Sequence, residues 1–126
     1  MINKVRIMIY GDDIDKLSEF WIFNFNAEVI ETIDLPGGYI NKVIALSPTL
    51  ELSLFNKEFI KKYSPEVLDA VPSLMLYTNE FDELHNRIKT ASDTMEIDGI
   101  PTFNFSDPEG NYFVVTKQQH DKGLDY

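Results

Sequence analysis

The chain of 126 residues has no cysteine, which excludes a disulfide scaffold and thiolate chemistry. Histidine is scarce: His85 falls in the middle of a helical pattern and reads as a surface residue, and His120 falls in a polar tail and reads as mobile. Neither is placed to ligate a metal, and the abundant acids lack the loop spacing of a Mg or Ca site. No run of 18 apolar residues exists, so no transmembrane span is expected. The opening stretch, MINKVRIMIY, has no small-residue cleavage site and too short an apolar run for a signal peptide. A cytoplasmic location is the matching expectation. Bases are few, 11 against 21 acids, for a formal net charge of −10. Lys61-Lys62 is the only basic cluster, and it sits beside Glu58 and Glu66. A nucleic-acid partner, which needs clustered Lys and Arg, is not expected, nor is a membrane partner. The acidic field suits solubility and would assist a cationic small ligand.

What is present is a globular composition, 44% hydrophobic and 13% aromatic, enough for one domain with a real core. Residues 4–10 alternate and read as a strand. Asp12, Asp13 and Asp15 open a helix at its positive end, and Leu17, Phe20, Trp21 and Phe25 give it one apolar face. Asn24 and Asn26 mark its stop. Strands are expected over 28–33, 39–46 and 50–55, separated by turns at Pro36-Gly37-Gly38 and Ser47-Pro48-Thr49. Residues 56–72 read as a connector with one or two short helices. The order then restarts: a strand over 73–78, a helix opened by Asn79 to Asp82 with Phe81, Leu84 and Ile88 on one face, a short strand near 94–97, and a hairpin of 101–105 with 111–116.

The two halves can be superposed. Tyr10 falls on Tyr77, Asp12 on Asn79, Asp15 on Asp82 and Leu17 on Leu84, each 67 positions apart, and Ser47-Pro48 falls on Asp107-Pro108, 60 apart. One β-α-β-β-β unit therefore occurs twice. The hairpin turn is the most specific local signal. In Asp107-Pro108-Glu109-Gly110-Asn111, Pro108 fixes its own φ, the Asp107 side chain can accept a backbone N–H, and Gly110 can take a positive φ without steric cost.

The segments IMIYGDDIDKLSEFW, LMLYTNEFDELHNRI and FNFSDPEGNYFVV resemble the vicinal oxygen chelate superfamily, the group of glyoxalases, bleomycin resistance proteins and extradiol dioxygenases. The resemblance covers about residues 3–116 and is nearest to small bacterial glyoxalase-like members. It implies an α+β fold of two tandem βαβββ modules, a curled mixed sheet around a cavity, and helices on the outer face. It implies a single domain over 1–126, with module one at 3–55, a connector at 56–72, module two at 73–116 and a polar tail at 117–126. It also implies a homodimer. Metal-dependent relatives draw one ligand from each of four strands, and the matching positions here are Arg6, Glu51, Ser73 and Val114. Only Glu51 keeps a ligand type, since Arg6 has no acceptor and Val114 offers no donor atom. No metal and no other cofactor is expected.

Strand alternation divides the sheet residues into two sets. Val5, Ile7, Ile9, Leu50, Leu52, Leu54, Leu74, Leu76, Phe113 and Val115 are wholly apolar and form the face expected against the helices. Arg6, Met8, Tyr10, Glu51, Ser53, Phe55, Ser73, Met75, Tyr77, Tyr112, Val114 and Thr116 form the other. This second set mixes a base, an acid, hydroxyls, methionines and aromatics, as a small-molecule cavity does. Three readings follow. The first is a non-metal binding protein for a small cationic or aromatic compound, with Glu51 anchoring a positive group. The second is a lyase or isomerase of altered mechanism, with Glu51 as general base and Arg6 holding an oxyanion. The third is a structural or regulatory homodimer with a vestigial cavity.

Overall fold

The structure, a computed structural model, describes residues 1–119; His120 and the tail beyond it lie outside the described residues. The chain divides into two compact units, one ending at Pro72 and the other starting at Ser73.

The first unit runs β1 (Val5–Gly11), α1 (Ile14–Phe25), β2 (Glu28–Asp34), β3 (Ile40–Ala45), β4 (Leu50–Asn56) and α2 (Lys57–Tyr63). Its sheet has the order β1-β4-β3-β2, with β1 parallel to β4 and the other pairs antiparallel. α1 begins where the Asp13 side chain accepts the Lys16 N–H, and it ends at Asn26, whose φ of 54° turns the chain out of the helix. Ile14, Leu17 and Trp21 are buried from this helix, and Ile9, Ile44, Leu52 and Leu54 are buried from the strands. Lys42 lies on the same sheet face as Ile44, and its Nζ reaches Asp15 of α1 at 2.6 Å. That face is therefore the helix side. Each buried aliphatic side chain contributes about 1.5–3 kcal/mol by transfer from water. Val5, at the open end of β1, is half exposed, because the alternating face extends past the reach of the helix.

The second unit runs β5 (Met75–Thr78), α3 (Phe81–Arg87), β6 (Met95–Ile97), β7 (Ile100–Ser106) and β8 (Tyr112–Lys117). The sheet order β5-β8-β7-β6, with β5 parallel to β8, repeats that of the first unit. Phe81, Ile88, Phe103, Phe105, Phe113 and Val115 are buried, with Phe81 edge-on to Phe103 at 5.2 Å and Phe105 tilted on Phe113 at 5.5 Å. The fold is α+β, two βαβββ modules in tandem, each with its own four-stranded mixed sheet not closed into a barrel. β5 starts two residues later than the sequence pattern suggests, because the Val71-Pro72 step leads into an extended run whose ladder with β8 begins only at Met75. His85 is a second correction. It is half-buried, its ring lies edge-on to Phe103 at 4.9 Å, and Nε2 donates to the Ser92 carbonyl at 2.8 Å. Helical periodicity misses it because the loop after α3 folds back over that position.

The turn before β8 is built as its composition suggests. Asp107 Oδ1 accepts the N–H groups of Glu109 and Asn111, both at 2.9 Å, and Oδ2 accepts Asn111 Nδ2 at 3.1 Å. Gly110 takes φ 81° and donates to the Asp107 carbonyl at 3.0 Å. Burial raises the Asp107 pKa above its ordinary value, outweighing the hydrogen bonds that favour the carboxylate.

Candidate functional site

The face of the first sheet opposite α1 carries Arg6, Met8 and Tyr10 from β1 and Glu51, Ser53 and Phe55 from β4, paired row by row by the parallel register. One end of this face is charged. Arg6 Nε donates to Glu51 Oε1 at 2.7 Å, Lys4 Nζ lies 3.5 Å from Glu51 Oε2, and Arg6 Nη2 reaches Glu31 Oε2 at 3.2 Å. Arg6 comes from one edge strand and Glu31 from the other, so the pair bridges the sheet across β4 and β3. Glu51 is 6% exposed. The hydrogen bond from Arg6, with Lys4 adding its charge, holds the Glu51 carboxyl below the usual carboxylate range, and the same pair raises Arg6.

The middle of the face is polar and buried. Asn41 Nδ2 donates to Ser53 Oγ and to the Leu54 carbonyl, both at 2.9 Å. The far end is aromatic. Tyr10 meets Phe55 edge-on at 6.3 Å, and Phe59 of α2 stacks on Phe55 at 6.1 Å with an interplanar angle of 17°. Tyr39 and Tyr63 approach Phe59 at 5.7 and 4.8 Å. The sequence pattern finds Arg6, Glu51, Tyr10 and Phe55. It misses Lys4, Glu31, Asn41, Tyr39 and Phe59. Glu31 is hidden by a bulge: the register shifts between Val29 and Glu31, so Ile30 is the extra residue and Glu31 turns to the face of Val43 and Ser53.

In the second unit the matching face carries Met75 and Tyr77 from β5 and Tyr112, Val114 and Thr116 from β8. Met75 is 53% exposed and Tyr77 and Tyr112 are each 67% exposed. Thr116 is buried and shares a hydrogen bond with Thr102 at 3.2 Å. The register partner of Val114 is Met75; Ser73 precedes β5 and is exposed.

A cleft of about 320 Å³ opens at the start of α1, lined by Asp12, Asp13, Asp15, Tyr39, Ile40 and Asn56 among others. Three of its polar side chains already have structural work. Asp13 caps α1, Asp15 pairs with Lys42, and Asn56 Oδ1 accepts the Glu58 N–H at 2.8 Å.

Solved structures share this architecture at low sequence identity. The chain is similar to the antibiotic-binding protein TnmS3 from Streptomyces sp. CB03234, with 16% identity, TM-score 0.71, and 92% of this chain and 95% of that one covered. It is similar to a lactoylglutathione lyase from Agrobacterium tumefaciens, with 18% identity, TM-score 0.67, and 97% and 96% covered. The fosfomycin resistance protein FosX from Listeria monocytogenes aligns at 16% identity and TM-score 0.66, with 91% and 92% covered. No family model and no curated protein matches the sequence. What the chain shares with these solved structures is the fold.

The four strand positions that the sequence resemblance matches to metal ligands do not make a ligand set here. Arg6 donates to the single carboxylate of the four matching positions, and Val114 has no donor atom. Among the described residues no three His, Cys, Asp or Glu side chains cluster closely enough to hold a metal ion. No helix among them is long and apolar enough to cross a membrane.

Proposed function

We propose that the chain is a small-molecule binding protein of the antibiotic-resistance kind within this fold, working without a metal and as a homodimer. The observation that carries the reading is the face of the first sheet, with an ion-paired carboxylate at one end, a buried amide and hydroxyl in the middle, and rings at the other end. Such a mixture recognises a compound with an aromatic body and a polar or cationic head. The ligand-binding set comprises Arg6, Met8, Tyr10, Glu51, Ser53 and Phe55 from the first unit. On the second unit, taken by itself, the candidate ligand-binding residues are Ser73, Met75, Tyr77, Tyr112 and Val114.

The Arg6–Glu51 bond favours binding over catalysis. A general base works best with a pKa near the operating pH. Arg6 and Lys4 hold Glu51 well on the acidic side of that, and Arg6 is already shared between two carboxylates. The test is a thermal-shift screen of the wild type and Glu51→Gln against cationic glycopeptides, aromatic antibiotics, thiol adducts and 2-oxoaldehydes. A compound that stabilises the wild type and not the variant supports the reading. Equal stabilisation of both by the best compound removes Glu51 as the anchor. Turnover of a stabilising compound, abolished in Glu51→Gln with the fold retained, would instead establish an enzyme.

A further inference from the structure

The aromatic end of the first sheet is a cage that already holds a ring. Phe59 lies stacked on Phe55, with Tyr39 edge-on to it at 5.7 Å and Tyr63 tilted against it at 4.8 Å. Three of these rings come from three different segments, β4, the loop before β3, and the end of α2. The guest ring comes from α2, the connector helix, which has only seven residues. A helix that short is unstable on its own and depends on what it packs against. Ile60, at 4% exposed, is its buried anchor. Phe59 is not buried in this way; it is half-exposed, so one side of its ring faces open space.

We infer that Phe59 is a built-in occupant of a subsite for a planar aromatic group, and that a ligand of this class enters by displacing it from Phe55, Tyr39 and Tyr63. The inference rests on the binding function proposed above and adds the part of the ligand taken at this end and the contact that opposes it. Stacked and edge-on contacts with neighbouring rings are the geometry that aromatic groups prefer. Phe59 shows that the three rings accept a six-membered ring in that geometry. In the free protein the contact is self-inhibitory, because the apparent affinity of a site falls by the fraction of molecules in which it is open. Truncation of Phe59 therefore strengthens binding, the reverse of what truncating an ordinary wall residue does.

The experiment measures the affinity of proflavine, a planar aromatic cation, for the full chain by fluorescence titration, with choline as a cation that has no ring. Phe59→Ala is expected to bind proflavine about tenfold or more tightly than the wild type and to leave choline unchanged. Adding Phe55→Ala to that variant is expected to remove the gain. Circular dichroism reports on the fold. If Phe59→Ala does not fold, Phe59→Leu, which keeps apolar volume but no ring, decides the matter with an expected gain of about threefold. Unchanged or weaker proflavine binding in the folded variant overturns the inference and leaves Phe59 as packing. If proflavine then still binds the wild type and is weakened by Glu51→Gln, the general binding reading survives that failure. If Phe59→Ala gains affinity and Glu51→Gln has no effect, the aromatic subsite stands and the carboxylate anchor falls. No binding by any variant overturns both.

Discussion

Glu51 links the chemistry of the face to the stability of the unit that carries it. Its pKa is lowered by Arg6 and Lys4 relative to the ordinary value of 4.5, so the folded chain holds that proton less tightly than the unfolded chain does. The pair's contribution is fully present above about pH 4.5 and is lost as pH falls through the lower, folded value. Glu51→Gln should therefore flatten the acid side of a stability–pH profile measured by urea melts, and unchanged steepness would show that the pair is not formed in solution. Glu51→Leu should lower the melting temperature at neutral pH further than Gln does, since it leaves Arg6 and Lys4 with no acceptor on β4.

Asp107 behaves in the opposite sense. Its raised pKa means that its own titration lowers stability as pH rises through the window above 3.8. Its hydrogen bonds matter more than its charge. Asp107→Ala strips the partner from two backbone N–H groups and should cost about 1–3 kcal/mol in a urea melt. Gly110→Ala should cost about 1–2 kcal/mol through φ alone, because a Cβ there would meet no neighbouring atom. This turn was fully legible in the sequence. Each of its residues acts on its own backbone or within four positions, so no distant contact was needed to read it.

At the scale of elements, legibility followed how local the determining contacts are. α1 was readable because its cap, its apolar stripe and its terminal Asn26 are all short-range signals. Asp13→Ala should cost about 1 kcal/mol through the cap. Trp21→Ala should cost about 3–5 kcal/mol through the space it leaves, since Trp21 is fully buried. Thermal or urea unfolding checks both, and a smaller loss for Trp21→Ala than for Asp13→Ala would contradict the packing described. β2 was readable as a strand, but its faces were not. The bulge at Ile30 depends on pairing with β3 and reverses which side Glu31 takes. α2 was readable as a short helix in a connector, whereas its position against Phe55 and Tyr39 comes from the three-dimensional fold. The start of β5 was misplaced for a similar reason, since strand composition extends back to Ser73 and the ladder does not.

At the scale of the whole molecule, two expectations remain to be measured. The proposed homodimer is supported by exposed apolar and aromatic side chains on the second sheet, Met75, Tyr77 and Tyr112, and by open edge strands on both sheets. Light scattering should give about twice the chain mass of 14.5 kDa, and a mass of one chain at all working concentrations would refute the dimer. Elemental analysis of protein purified without added metal should find well under one equivalent of Zn, Ni, Fe, Mn or Co per chain. Treatment with a chelator should leave the melting temperature unchanged. A tight stoichiometric metal lost together with Glu51 would overturn that expectation.

The parallel pairing of β1 with β4 also sets a timetable for synthesis. β1 is made first, yet its one sheet neighbour lies 45 residues further along the chain. At roughly 5–20 residues per second on a ribosome, that strand waits about 2–9 seconds before its partner has even been polymerised. The β2–β3 hairpin is complete only when Ala45 has been added, and until β4 follows Ile7 and Ile9 have no strand to join. Slowing translation between residues 11 and 50 would lengthen the exposure of this apolar segment to chaperones and to other nascent chains, and codon choice in that stretch becomes a determinant of yield.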